Sequence, residues 1–262
     1  MLGAIIGDIV GSRFEMENHK SKDFELFNCE CEFTDDTAMT IAICKAFINS
    51  KEDFSNLSEK VVSCMQEIGR KYNDVGYGED FFYWLFEEIP KPYNSWGNGA
   101  VMRVSPVAYV ANSIEEVKEL SKKVTEVTHN HKEALKGAEA VSIAIFMARN
   151  KKTKDEIKKY ITNNYYKTEK TVKELQSSYK FDVSTQGSVP QALQCFYESV
   201  DFEDCIRNAI SIGGDSDTIG AIAGSIAGAY YIIPESIKNT AMFYLPKEFI
   251  KIIEEFETKY KY

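Results

Sequence analysis

Apolar residues recur every three or four positions along most of the chain, the spacing that lines up side chains on one face of an α-helix. The pattern predicts helices over 35–49, 57–72, 114–127, 132–149, 191–199, 203–212, 218–232 and 247–259. Two of them follow a capping residue, since Ser113 and Asp201 each precede an acidic residue by three positions. No alternating run bounded by turns predicts a strand. The expected fold class is therefore all-α.

Composition favours one compact domain over residues 1–262, because no Pro/Gly/Ser-rich linker divides the chain. The net charge of −9 argues against sequence-specific nucleic-acid binding and against an anionic membrane surface. The lysine-rich stretch 151–184 is expected to form solvated surface helices and loops. The longest apolar run, 219–233, is too short to span a membrane. Six cysteines without a CxxC pair indicate reduced thiols and a cytoplasmic protein. For a one-domain protein we expect a monomer.

Small residues repeat every fourth position in three segments, which places them on one face of each helix. The residues are Gly3, Gly7 and Gly11, then Gly220, Gly224 and Gly228, and finally Ala38, Ala42 and Ala46. Each glycine inside a helix costs about 1 kcal/mol relative to alanine, so three in register need a structural reason. A flat face lets helix backbones approach closely. We therefore expect these three helices to pack against one another at the centre of the protein.

Acidic pairs stand at two predicted helix starts. Asp35 and Asp36 open one helix, and Asp215 and Asp217 open another after a Gly-Gly pair. A single aspartate there is usually a cap, but neighbouring carboxylates repel one another and exceed what a cap requires. Four carboxylates would balance two divalent cations. Oxygen donors without His or Cys favour Mg²⁺ or Mn²⁺ over Zn²⁺, provided that the two helix starts meet.

Three further elements could carry chemistry, and each has an ordinary structural explanation. The loop Asn94–Gly99 opens towards a helix and could offer backbone N–H groups to an anion, although a simple turn fits as well. His129 lies near a helix start, where a histidine is more often structural or exposed. Glu15 borders the first glycine-rich segment and could equally belong to a surface loop.

Taken in order, these elements resemble the ADP-ribosylglycohydrolase family. The motifs that carry the resemblance are Gly3-Ala4-Ile5-Ile6-Gly7-Asp8, Phe33-Thr34-Asp35-Asp36-Thr37, Gly97-Asn98-Gly99-Ala100, Met102-Arg103, Thr128-His129 and Gly213-Gly214-Asp215-x-Asp217-Thr218-x-Gly220. Each motif alone is unspecific, whereas the ordered set is specific and covers most of the chain. The resemblance implies a compact all-α orthogonal bundle with two Mg²⁺ or Mn²⁺ ions at the base of a cleft.

The resemblance also implies roles for individual residues. The implied metal ligands are Thr34, Asp35, Asp36, Asp215, Asp217 and Thr218. The implied contacts to ADP-ribose are Asn94, Ser95, Trp96, Gly97, Asn98, Gly99 and His129, and Glu15 matches a family glutamate on a flap over the metals. The aromatic residue that stacks on adenine could be Tyr77, Tyr93 or Trp96.

The predicted reaction is hydrolysis of the bond between ADP-ribose and a nitrogen or oxygen of an acceptor. The metals would hold the distal ribose and a water, while Glu15, Asp35 and Asp36 share the acid–base work. The acceptor stays open between an ADP-ribosylated protein, a nucleobase and a small metabolite. A different reading is a catalytically silent ADP-ribose-binding or crystallin-like protein. Prenyl-diphosphate enzymes and metal-dependent phosphohydrolases are disfavoured, because their DDxxD or His-Asp motifs are missing.

Overall fold

A computed structural model describes residues 1–260, and the last two residues lie outside the described part. Within that part the chain forms fourteen α-helices, two short 3₁₀ turns and no named strand. The helices are α1 (Leu2–Gly11), α2 (Asp35–Ile48), α3 (Leu57–Lys71), α4 (Glu79–Phe86), α5 (Val107–Val110), α6 (Ile114–Thr125), α7 (Lys132–Arg149), α8 (Lys154–Asn164), α9 (Val172–Ser178), α10 (Thr185–Glu198), α11 (Phe202–Ser211), α12 (Ser216–Tyr230), α13 (Glu235–Met242) and α14 (Lys247–Lys259). The predicted all-α fold class is confirmed. The domain boundary 1–262 stays a prediction.

Helix positions agree with the apolar spacing except where that spacing is weak. The caps at Ser113 and Asp201 are confirmed, since their side chains accept from the N–H groups of Glu116 and Asp204. Helix α10 was predicted too short, because its polar first turns and the internal Pro190 hide the periodicity. Helices α4, α5 and α13 were not predicted. Helix α4 carries apolar or aromatic residues at six consecutive positions, Phe81 to Phe86, so its sequence shows no single apolar stripe.

The closest backbone approach in the centre joins α1 to α12. A Cβ atom built on Gly3 would lie 2.0 Å from the carbonyl oxygen of Gly224, and one on Gly7 would lie 2.0 Å from that of Gly220. Helix α2 lies against α1 as well. The predicted central packing of the small-residue helices is therefore confirmed. Its consequence is that the N-terminal end of α12 comes to lie beside the C-terminal end of α1, where Gly11 packs on Asp217.

Three other expectations concern the cysteines, helices that could cross a membrane, and the lysine-rich stretch 151–184. All six cysteines are free thiols, as predicted, and five of them are buried. No helix within residues 1–260 has the length and apolar character that crossing a membrane requires. The stretch 151–184 forms α8 and α9 with connecting loops, as expected.

Replacing Gly7 by alanine should strongly destabilise the protein. Alanine normally favours a helix over glycine by about 1 kcal/mol, but here its methyl group would overlap the backbone of Gly220. We expect a loss of at least about 3 kcal/mol in the free energy of unfolding, measured by urea denaturation. Gly78→Ala is the matched control, since no atom lies within 4 Å of that Cβ position. It should cost less than about 1 kcal/mol, and equal losses in both variants would contradict the packing argument.

Candidate active site

A cleft of about 710 Å³ opens where the starts of α2 and α12 come together. Its walls come from six other parts of the chain: the segment after α1, the segment 74–81, the loop after Tyr93, the pair Met102 and Arg103, the residue His129, and the segment between α9 and α10. Nine carboxylate side chains line this cleft, against one arginine and one histidine. They are Glu15, Glu32, Asp35, Asp36, Asp74, Glu79, Asp80, Asp215 and Asp217.

The two acidic helix starts are in direct contact. The Thr218 hydroxyl donates to Asp36 Oδ2 at 3.1 Å, although the two residues are 182 positions apart. Asp36 is buried, and its Oδ1 atom has no hydrogen-bond partner. A buried carboxylate oxygen without a partner is costly unless something else satisfies it. The convergence that the metal hypothesis requires is therefore present in the fold.

A second group of acids lies at the spacing of metal ligands. One carboxylate oxygen each from Glu15, Asp215 and Asp217 lies within 4.8 Å of the others. Every donor in this group is a hard oxygen atom, as Mg²⁺ and Mn²⁺ prefer. This group fits a divalent cation, and the unpartnered oxygen of Asp36 belongs to a residue that lines the same cleft. Glu15, which the sequence placed in an acid–base role, is also close enough to serve as a ligand.

Asp8 holds the start of α2 in place from inside the core. Its carboxylate accepts the Thr34 hydroxyl at 2.6 Å and the backbone N–H groups of Thr34 and Thr37 at 3.0 Å. Thr34 also caps α2 by accepting from the N–H of Asp36 at 3.3 Å. Asp8 was part of a sequence motif but was not predicted as a site residue. Its role depends on contacts across 26 to 29 positions, which no local pattern shows.

Burial and mutual repulsion both act against the charged form of the clustered carboxylates. Burial raises the pKa values of Asp35, Asp36 and Asp217 well above their usual range, and neighbouring carboxylates add to the shift. Burial also raises the pKa of Glu15, with further contributions from Asp215 and Asp8. The carboxylates therefore destabilise one another in their charged form. A bound divalent cation would remove this repulsion.

The Gly213-Gly214 turn positions Asp215 ahead of α12. Both glycines have positive φ angles, +67° and +79°, which side-chain-bearing residues rarely adopt. Gly214 donates its N–H to Asn18 Oδ1 at 3.2 Å, and a Cβ there would lie 2.6 Å from the ring of Tyr179. The positive φ angles and the close approach of Tyr179 explain why two glycines precede Asp215.

The loop Asn94–Gly99 divides into residues that line the cleft and residues that do not. Ser95, Gly97, Asn98 and Gly99 line it, whereas Asn94 and Trp96 are not among its lining residues. The Asn98 side chain donates to Asp215 Oδ2 at 2.6 Å and to Ser188 Oγ at 3.0 Å. Asn98 therefore ties the loop to the acidic cluster.

The aromatic residues that line the cleft include only one of the three expected ones. Of the three candidates for stacking on adenine, Tyr93 lines the cleft, while Tyr77 and Trp96 do not. Phe181 and Val183 also line it from the segment between α9 and α10, and about half of each side chain is exposed. They were missed, because exposed apolar residues in a polar stretch give no periodic signal. Val183 is held against the loop by the Asn98 N–H, which donates to its carbonyl at 2.8 Å.

The two neighbouring histidines have different surroundings. His131 caps α7 by accepting from the N–H of Glu133 at 3.2 Å, a structural role. His129 is buried and lines the cleft. Burial holds its pKa well below the usual range, and the nearby Arg103 lowers it further. His129 therefore faces the cleft as a neutral imidazole.

Comparisons with known proteins agree on one family. The family model for ADP-ribosylglycohydrolase matches residues 1–258. Human ADP-ribosylhydrolase ARH3 is 24% identical over 324 residues, covering 93% of this chain and 88% of the human protein. ADP-ribosylarginine hydrolase Tri1 of Pseudomonas putida (strain GB-1) is 26% identical over 278 residues, covering 92% of this chain and 73% of that protein.

A solved ADP-ribosylglycohydrolase-related protein complex has the same fold, with a TM-score of 0.68 at 20% sequence identity. The superposition covers 99% of this chain and 94% of the other. Since the family model spans nearly the whole sequence, the chain belongs to the ADP-ribosylglycohydrolase family. The resemblance seen in the sequence motifs and the predicted enzyme class are confirmed.

Replacing Asp217 by asparagine should lower thermal stability relative to wild type only when a divalent cation is present. In chelator the variant should melt no lower than wild type, because one repelling buried carboxylate is removed. With Mn²⁺ at a hundredfold excess over Kd, the free energy of unfolding of wild type should rise by about 2.7 kcal/mol for each occupied site. This corresponds to a Tm rise of roughly 5–10 °C per site. The variant should lose most of that gain.

The matched control is Asp155→Asn, an exposed aspartate in the first turn of α8. It should retain the full cation-dependent rise in differential scanning fluorimetry. An Asp217→Asn protein that gains as much from Mn²⁺ as wild type would rule out this residue as a ligand.

Proposed function

We propose that this protein hydrolyses the glycosidic bond between ADP-ribose and an N- or O-linked acceptor, with two Mg²⁺ or Mn²⁺ ions in the acidic cluster. The contact between Thr218 and Asp36 is the observation that carries the proposal, because it brings both acidic helix starts to the floor of one cleft. The residues proposed as ligands are Thr34, Asp35, Asp36, Asp215, Asp217 and Thr218. When bound, the ions would neutralise the carboxylates and supply Lewis-acid assistance to the attack of water.

The acid–base work falls to carboxylates of this chain. Glu15 is half-buried at the cleft wall beside Asp215 and Asp217, where burial raises its pKa and so favours its holding a proton that can be passed on. We propose that Glu15 moves the proton between the water and the leaving acceptor. Asp35 and Asp36 hold the water in line with the anomeric carbon, since their carboxylates line the same floor. The proposed transition state resembles an oxocarbenium ion, as in other glycoside hydrolysis.

The ADP part of the substrate is proposed to lie along the neutral side of the cleft. Ser95, Gly97, Gly99 and His129 line this side and carry no negative charge. A diphosphate would be repelled by the acidic floor, so it fits this side better. Tyr93 at the inner wall or Phe181 at the rim would stack on the base. Asn94 and Trp96 do not line the cleft, and we propose that they shape the loop without contacting the ADP part of the substrate.

Glu15→Gln should lower kcat by about a hundredfold or more, because the amide cannot accept or release a proton at neutral pH. The measurement is the rate of ADP-ribose release from an ADP-ribosyl conjugate with saturating Mn²⁺. Glu17→Gln is the matched control, since Glu17 is exposed on the same segment and does not line the cleft. Equal rates for the two variants would remove Glu15 from the chemistry.

The rim of the cleft favours a cationic acceptor. Asp74, Glu79 and Asp80 line its mouth as exposed carboxylates. The lining residues include no lysine, and their single arginine, Arg103, is buried. One relative is named for ADP-ribosylarginine, which carries a guanidinium group. We therefore propose that ADP-ribosyl-arginine is the better substrate and ADP-ribosyl-serine the poorer one.

A panel of defined conjugates tests both the reaction and the acceptor. Free ADP-ribose should be released from the arginine conjugate with Mn²⁺ and not in chelator. The double variant Glu79→Gln/Asp80→Asn should raise KM for the arginine conjugate by roughly 3- to 10-fold, since rim charges contribute modestly. KM for the serine conjugate should stay within twofold. Tight ADP-ribose binding in calorimetry, with no hydrolysis of any conjugate, would instead support the silent binding protein.

A further inference from the structure

Arg103 is a fully buried guanidinium at the wall of the cleft, with 1% of its surface exposed. It makes no ion pair with any carboxylate in residues 1–260, and its Nε atom has no hydrogen-bond partner. Its Nη2 atom donates to Thr128 Oγ1 at 2.6 Å. Burying a charge without an acidic partner is costly, and the Phe81 ring, whose centre lies 5.9 Å from the guanidinium carbon, offsets only part of that cost. The hydrogen bond to Thr128 gives the buried guanidinium a role.

The hydrogen bonds around Thr128 determine which ring nitrogen of His129 carries the hydrogen. Arginine N–H groups can only donate, so the Thr128 oxygen accepts from Arg103. The same oxygen lies 2.8 Å from His129 Nδ1, and Thr128 is fully buried with no other side-chain hydrogen bond in the described residues. If Nδ1 carried a hydrogen, the buried threonine O–H would be left without an acceptor, at a cost of about 1–3 kcal/mol. The favoured arrangement is therefore donation from Thr128 to Nδ1.

A neutral imidazole that accepts at Nδ1 must carry its hydrogen at Nε2. Cβ atoms built on Gly97 and Gly99 would lie 3.6 Å and 3.5 Å from Nε2, so this nitrogen faces the loop on the neutral side of the cleft. The Tyr93 N–H donates to the Thr128 carbonyl at 3.0 Å and holds the backbone at the same place. The geometry thus aims an N–H donor at the part of the cleft where an anion would lie.

We propose that Arg103 and Thr128 are positioning residues that lock His129 in the neutral Nε2–H form, so that it donates to an oxygen of the bound diphosphate. The ligand side of this proposal rests on the proposed function, whereas the tautomer is a property of the free protein. Arg103 contributes twice. Its hydrogen bond orients the threonine hydroxyl, and its buried charge disfavours a second proton on His129.

Nitrogen-15 NMR of histidine-labelled protein tests the tautomer directly, because protonated and unprotonated ring nitrogens have separate chemical shifts. The chain has three histidines, so the His129 signals can be assigned from a His129→Gln variant. Without substrate or metal, wild type should show a protonated Nε2 and an unprotonated Nδ1. An Nδ1–H form, or an average of the two forms in fast exchange, would overturn the proposal.

Thr128→Val tests the link between Arg103 and His129, with Thr128→Ser as the control that keeps the hydroxyl. In the valine variant the His129 signals should move towards a mixture of tautomers. The Kd for ADP-ribose by calorimetry and KM for the conjugate should each rise about tenfold, the loss of one hydrogen bond to a charged group. The serine variant should keep the wild-type spectrum and stay within about threefold in Kd. A wild-type spectrum in folded Thr128→Val would exclude the positioning role.

The two proposals can fail separately. If no conjugate is hydrolysed while the Nε2–H form is observed and depends on Thr128, the proposed function fails and the positioning of His129 stands. If conjugates are hydrolysed while His129 adopts the Nδ1–H form, the positioning proposal fails alone. Should Thr128→Val fail to fold, the wild-type spectrum still decides the tautomer.

Discussion

The close contact between α1 and α12 is the constraint on which the site depends. Helices that carried side chains at Gly3, Gly7, Gly220 and Gly224 would be held apart by the overlap of their Cβ atoms with the facing backbone. Only at this separation does the first turn of α12 lie beside the last turn of α1. Helix α2 is tied to α1 by Asp8, so all three helices converge where their acidic residues are found.

Such a cluster is unfavourable for the folded protein by itself. Buried carboxylates raise one another's pKa values, and one oxygen of Asp36 has no partner. Proteins keep such arrangements where function requires them, and the rest of the fold offsets the cost. Here the offset comes from neutral donors placed around the acids: the hydroxyls of Thr34 and Thr218 and the amide of Asn98.

The cleft combines two electrostatic environments within a short distance. One side is acidic and suits cations, while the other has the neutral His129, the small residues Gly97 and Gly99 and the buried charge of Arg103. Asn98 joins the two sides through its hydrogen bond to Asp215. A substrate with an anionic diphosphate and a hydroxyl-bearing ribose is complementary to that division. Membership of the ADP-ribosylglycohydrolase family is consistent with it.

Local patterns with a fixed period or spacing were enough to predict the all-α class, most helix positions, the glycine contact and the two acidic helix starts. They were not enough to predict the role of Asp8, the cleft positions of Phe181 and Val183, or the link from Arg103 through Thr128 to His129. Those features depend on which side chains meet across distant segments, as Asp8 and Thr34 do across 26 positions. Local spacing carries no information about such contacts, so they can be identified only in the folded chain.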